Sequence, residues 1–215
     1  LARIDITEHL GATVPLDLQF RDERGQSVAL RDLLPADKPL VLTLAYYQCP
    51  MLCTMVLNGL SNAVKNQSLR PGADFQMVTV SIDPTETPEL AAAKRANYLG
   101  TLGLAPEAPA WRFLTGEQPA ITALADAVGF RYFRVPDSRE FAHPAAVFII
   151  TPDGHVSRYL YGITFRGLDL KLGLLDAGAG KIGSIVDRVI MYCYHYDPNR
   201  GSYALLAFRV MRLGG

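Results

Sequence analysis

The pattern of apolar and polar positions is sharpest at residues 40–45, where Leu-Val-Leu-Thr-Leu-Ala runs almost without a polar break. That is the signature of a strand buried on both faces. After Tyr46-Tyr47-Gln48 the pattern changes to an apolar-rich helix that starts near Pro50 and reaches toward Gln67. Upstream, residues 15–20 alternate, 21–26 read as a turn and 27–30 resume as strand, predicting a small hairpin that leads into a short element at 31–34. Downstream, residues 75–82 carry β-branched side chains and predict a second buried strand. Thr87 fits an N-cap, Pro88 the first helical position and Glu89 the acidic first turn of a helix running to about Leu99. Residues 111–115 read as a strand. A helix over 118–128 has Ile121, Leu124, Ala125 and Val128 on one stripe, and Gly129 closes it. Residues 130–135 predict a strand, 136–140 a loop, and 145–151 with 155–162 a hairpin around Pro152-Asp153-Gly154. A last helix is expected over 168–175.

This order is an α/β pattern. Two of the three cysteines, Cys49 and Cys53, fall where the first long strand meets the first long helix. Cysteines there make a thioredoxin-like fold the natural reading: a central mixed sheet flanked by helices, with an N-terminal β-hairpin. Residues 1–178 form that domain, and 179–215 form a C-terminal extension packed on it or leading to a membrane segment outside the sequence.

Composition adds bounds. The chain has 215 residues, 49% of them apolar, which suits a globular core. Its 21 Lys and Arg balance 21 Asp and Glu, so no nucleic-acid footprint is expected. No run approaches the roughly 18 apolar residues of a membrane span. No leader is visible and residue 1 is Leu, so the sequence reads as a mature or trimmed form. Three cysteines are too few for a disulfide scaffold.

A helix starting near Pro50 puts Cys49 just before it and Cys53 one turn inside. The free N–H groups and positive dipole end there favour thiolate over thiol. The spacing of four turns both sulfurs to one helical face. This suits two soft metal ligands or a redox dithiol. Three intervening residues tilt the pair toward metal without excluding a disulfide. His143, delivered by the loop before a strand, is the third candidate. Two thiolates and one imidazole suit copper, since sulfur favours Cu(I) and nitrogen helps retain Cu(II); zinc would want a fourth ligand. Met51 offers a thioether but reads more simply as a packing contact. Asp83 is either an acceptor beside the site, a docking charge or a turn-forming Asp-Pro. His9 and His155 read as surface residues and Trp111 as core. In the tail, Tyr192, Cys193, Tyr194, His195 and Tyr196 read first as ordinary packing, with a second metal site or a docking surface as the alternatives.

Four motifs then occur in one order: Tyr46-Tyr47-Gln48-Cys49-Pro50-Met51-Leu52-Cys53, Val80-Ser81-Ile82-Asp83-Pro84-Thr85-Glu86-Thr87-Pro88, Phe141-Ala142-His143-Pro144 and Thr151-Pro152-Asp153-Gly154. Together they resemble the Sco/SenC family over roughly residues 10–178. The resemblance implies a thioredoxin-like copper metallochaperone serving the binuclear copper centre of cytochrome c oxidase. It implies one copper per chain, held by Cys49, Cys53 and His143, in a membrane-anchored protein facing the bacterial periplasm or the mitochondrial intermembrane space, of which the periplasm is the expectation here. The expected partner is a copper-accepting oxidase subunit or another copper chaperone, and the expected state a monomer. Two positions depart from the family pattern: Met51 stands where an acidic residue is usual, and Ala142 where an aspartate commonly precedes the histidine. The enzyme-class alternative is a thiol–disulfide oxidoreductase using Cys49 and Cys53 as its redox pair; a thiol peroxidase and a copper or redox sensor are further rivals.

Overall fold

The computed structural model describes residues 4–183 and the strands at 194–197 and 202–205. In chain order, the first part holds β1 (Asp5–Ile6), β2 (Gln19–Arg21), β3 (Ser27–Ala29), a 3-10 turn (Leu30–Leu33), β4 (Leu40–Ala45), α1 (Leu52–Lys65) and β5 (Gln76–Ser81). Then come α2 (Pro88–Thr101), β6 (Trp111–Leu114), α3 (Gln118–Ala127), β7 (Phe130–Arg131), β8 (Phe133–Arg134), β9 (Phe141–Ala142), β10 (Ala146–Ile150), β11 (Val156–Tyr161) and α4 (Gly167–Gly178). Five strands make the central sheet in the order β11-β10-β4-β5-β6. β4, β5 and β6 are parallel, while β10 runs antiparallel to both β4 and β11. This is the mixed, helix-flanked sheet of a thioredoxin-like fold, as the sequence pattern predicts.

β4 is buried at all six positions, which is why it carries no polar alternation. Its side chains divide between two cores. Leu40, Leu42 and Leu44 meet Val78, Val80, Phe148 and Ile150 on the face covered by Ile121 and Leu124 of α3. Val41 joins Met77, Val147 and Ile149 on the face covered by Leu57 and Leu60 of α1, Leu99 of α2 and Leu174 of α4. The strand period of two thus serves both layers. α1 can approach the chain ahead of α4 because residue 59 is glycine: a Cβ there would lie 2.1 Å from the Ile163 carbonyl oxygen. The β2–β3 hairpin is tied to the chain after β6 by Arg21 N–H donating to Thr115 O at 2.7 Å and Thr115 N–H donating back at 2.9 Å.

Two local expectations are corrected. α1 begins at Leu52, not near Pro50, so Cys53 sits in its first turn. The strand expected over 130–135 is two short ones: β7 pairs with β1, whereas β8 pairs with β9. The chain changes partner around Tyr132, and alternation of residue type carries no record of such a change.

The chain divides into two units, Leu1–Ile182 and Gly183–Gly215. Within the second unit β12 (Tyr194–Asp197) pairs antiparallel with β13 (Ser202–Leu205), setting His195 opposite Ala204. Tyr192 and Cys193 lie outside the described residues. Among the described residues, no helix is long and apolar enough to cross a membrane.

Candidate metal centre

The site lies at the carboxyl end of β4, where the chain leaves the sheet and enters α1. Helix termini leave N–H groups unpartnered. Here Met51 occupies the N-cap position and supplies no side-chain cap. A sulfur substitutes: the Cys53 N–H donates to Cys49 Sγ at 3.3 Å. Farther back, the Tyr46 N–H donates to Cys53 Sγ at 3.4 Å, and the Cys49 N–H to the Tyr46 carbonyl at 3.3 Å. Cys49 Sγ therefore accepts from the turn that carries Cys53, and Cys53 Sγ from the strand end that leads to Cys49.

His143 arrives between β9 and β10. Its Nδ1 lies 2.9 Å from the Pro144 carbonyl, which can only accept, so Nδ1 carries the hydrogen. That leaves Nε2 facing Cys53 Sγ at 3.1 Å. Fixing a ring through its far nitrogen is how histidine ligands are oriented. Rings of Tyr46 and Phe130 pack beside the imidazole at centroid distances of 5.9 and 6.0 Å. Cys49, Cys53 and His143 are 8%, 2% and 6% exposed. Their ligand atoms all lie within 4.8 Å of one another. Among the described residues, no carboxylate joins the cluster.

The two thiols are not equivalent. A hydrogen bond from the Cys53 thiol, helped by the Cys53 and Met51 N–H groups, pulls Cys49 well below the usual thiol range against the effect of burial. The same hydrogen bond, with deeper burial, pushes Cys53 above it. Tyr46 is also raised, by burial first and by its contact with Cys49. Two sulfurs and an imidazole converging in a buried pocket form a soft, three-ligand donor set.

The remaining candidates fall outside this cluster. Met51 is 67% exposed and lies on the rim. Asp83 makes a turn, its Oδ1 accepting from the Thr85 N–H at 2.9 Å and hydroxyl at 2.7 Å. His9 and His155 are partly exposed: His9 Nδ1 is 3.3 Å from the Ala127 carbonyl, and His155 Nδ1 is 3.2 Å from Asp153 Oδ2. Trp111 is fully buried and donates to Thr79 Oγ1 at 2.9 Å. One residue that sequence reasoning passed over is Glu86, only 6% exposed. It accepts from the backbone N–H groups of Tyr47 and Gln48, and its only sequence signal is a lone acid in a Pro-bounded turn. Beside Gln48 and Pro50, an open cleft of about 670 Å³ runs past Asp83, Thr85, Arg134, Arg139 and Glu140.

A thioredoxin-like sheet with a buried Cys-Cys-His cluster at the first strand–helix junction defines a class of thiol-dependent proteins able to hold a soft metal. The particular family is SCO1/SenC: its model matches residues 8–165, and the chain belongs to it. The fold is similar to that of a protein of Aquifex aeolicus VF5, at 25% identity and a TM-score of 0.69, covering 80% of this chain and 95% of that one. It is also similar to Arabidopsis thaliana ScoI solved with copper bound, at 20% identity and a TM-score of 0.59, covering 79% and 98%. A third similar structure is BsSco, described as a member of the Sco family of cytochrome c oxidase assembly proteins with a disulfide switch, at 20% identity and a TM-score of 0.60, covering 82% of this chain and 99% of that one. No curated protein sequence matches the chain.

Proposed function

We propose that this chain is a copper metallochaperone that delivers copper to, or assists maturation of, the binuclear copper centre of cytochrome c oxidase. The observation that carries this reading is the convergence of Cys49, Cys53 and His143 ligand atoms within 4.8 Å in a member of the SCO1/SenC family. Copper is the cargo. Cys49 and Cys53 bind it as thiolates and His143 through Nε2, and three ligands leave a position from which a partner's sulfur or imidazole displaces them one at a time. The partner is a copper-accepting oxidase subunit or another copper chaperone. In this reading the chain is a monomer facing the bacterial periplasm from a membrane tether outside the sequence. Residues 1–178 form the copper-binding domain and 179–215 an extension to it.

A second reading is favoured by the inequality of the two cysteines. Cys49 Sγ receives a helix N-terminal N–H while Cys53 lies deeper. This suits a thiol–disulfide oxidoreductase in which the Cys49 thiolate attacks a partner disulfide and expels one partner thiolate. Cys53 then attacks the Cys49 sulfur, forming the Cys49–Cys53 disulfide and releasing the second thiolate, so two electrons pass to the partner.

Anaerobic copper titration of the reduced protein, with free thiols counted before and after oxidation, tests both. One Cu(I) per chain, lost when Cys49 and Cys53 pair, is expected for the chaperone. No copper binding with a readily cycled disulfide would overturn it in favour of the oxidoreductase.

A further inference from the structure

A carboxylate buried without a cationic partner is costly unless donors surround it. Glu86 is such a group: among the described residues, no ion pair includes it, yet it is 6% exposed. Its Oε2 accepts from the Tyr47 N–H at 2.7 Å and the Ser81 hydroxyl at 2.6 Å, and its Oε1 from the Gln48 N–H at 2.7 Å. These donors have no strand to pair with. The ladder between β4 and β5 ends at Ala45 opposite Ser81, and the Ile82 N–H donating to the Ala45 carbonyl at 2.9 Å is its last rung. Glu86 thus extends the sheet's grip by two peptide units, to the residue immediately before Cys49.

The consequence reaches both sulfurs. The N–H groups of Tyr46, Tyr47 and Gln48 go in turn to Cys53 Sγ, Glu86 Oε2 and Glu86 Oε1. The turn that aims the first donor at Cys53 and places Cys49 beside it is therefore held by one carboxylate, anchored to β5 through Ser81. We propose that Glu86 is the positioning residue of the Cys49–Cys53 pair. It sets the separation and orientation of the two sulfurs, and so controls both how they share one Cu(I) and how readily they close into a disulfide. Its part in copper binding rests on the chaperone reading; its part in disulfide closure does not.

Glu86→Gln keeps length and shape but retains a single acceptor oxygen and turns an NH2 group toward one of the two backbone N–H groups. In the full 215-residue chain, three quantities are compared with wild type: Cu(I) affinity by competition with a chromogenic chelator, the Cu(II) electron paramagnetic resonance spectrum, and the Cys49–Cys53 reduction potential against a glutathione buffer. Expected are Cu(I) binding weaker by about 10–100-fold, an altered Cu(II) spectrum and a shifted potential. Ser81→Ala, which removes the anchor and the Ser81–Asp83 hydrogen bonds but no contact to Tyr47 or Gln48, is expected to move all three less and in the same direction. Wild-type spectrum and potential in folded Glu86→Gln would overturn the proposal, even with weaker affinity, because general destabilisation alone would then account for the loss. Should Glu86→Gln not fold, an unchanged Ser81→Ala overturns it. If wild type binds no copper, the chaperone reading fails by itself, and the potential still decides the positioning role.

Discussion

Two of the buried polar clusters in this domain are built on opposite principles. Around Arg95 and Arg112, donors and acceptors are matched. Arg95 donates to the carbonyls of Trp111, Pro106 and Ala108 and lies 3.3 Å from Glu23, while Arg112 reaches Glu23 and Asp22 at 2.9 Å each. Asp22 turns its other oxygen to the N–H groups of Arg24 and Gln26. That network fastens the β2–β3 turn to α2 and β6. At the Cys49–Cys53–His143 cluster the excess is of acceptors. Both sulfurs accept from backbone N–H groups, and the two sulfurs and one imidazole nitrogen converge to within 4.8 Å of one another. A closed network is finished when the chain folds; a convergent set of lone pairs is finished only by a proton or a cation. The first stabilises, and the second is open to a ligand.

The comparison breaks most sharply if the roles can be exchanged. Cys53→Ser is expected to abolish stoichiometric Cu(I) binding while costing little stability, since serine keeps the size and the acceptor; anaerobic copper titration beside a urea melt checks it. Retained stoichiometric copper would remove Cys53 from the ligand set. Glu23→Ala should do the reverse: about 3–5 kcal/mol of stability lost, as expected when one partner of a buried ion pair is removed, with copper affinity of the folded protein unchanged. A milder version is Thr79→Val, which leaves the buried Trp111 Nε1–H without its acceptor and should cost about 1–3 kcal/mol, again sparing copper; denaturant midpoints read both.

The smallest effect expected is graded by pH. Cys49 is pulled below the ordinary thiol range and Cys53 pushed above it. At neutral pH the metal-free site therefore holds one thiolate and one thiol, and copper binding must expel the Cys53 proton. Affinity should rise about tenfold per pH unit through neutrality and fall correspondingly in acid. Chelator competition at three pH values measures the slope, and a flat profile would show that both thiols are already ionised. In the metal-free protein, iodoacetamide at mildly acid pH should label Cys49 ahead of Cys53; the opposite order would invert the assignment of their roles.

How much of this was legible in the chain differs from element to element. The double-sided burial of β4, the Thr87–Pro88 start of α2 and the turn at Gly154, whose φ is +87°, follow from local chemistry, so residue type alone points to them. Pro50, an ordinary first-turn residue, points to a start near itself, whereas α1 starts at Leu52 with the Cys53 N–H donating to Cys49 Sγ, a contact that depends on the folded turn. The split of 130–135 depends on β1 and β9, which come from distant parts of the sequence.

The sequence by itself determined the candidates: two thiols four residues apart at a strand–helix joint, a histidine before a later strand, and the ordered motifs that point to one family. Only the tertiary structure decided that Cys53 and His143, 90 residues apart, stand 3.1 Å from each other, and that Glu86 turns inward to hold the loop between them and the sheet. The reason is physical. Propensities, caps and alternation act over a few residues, so a chain displays them openly. A ligand set and its buried supports are made by long-range packing, which fixes positions that no local preference specifies.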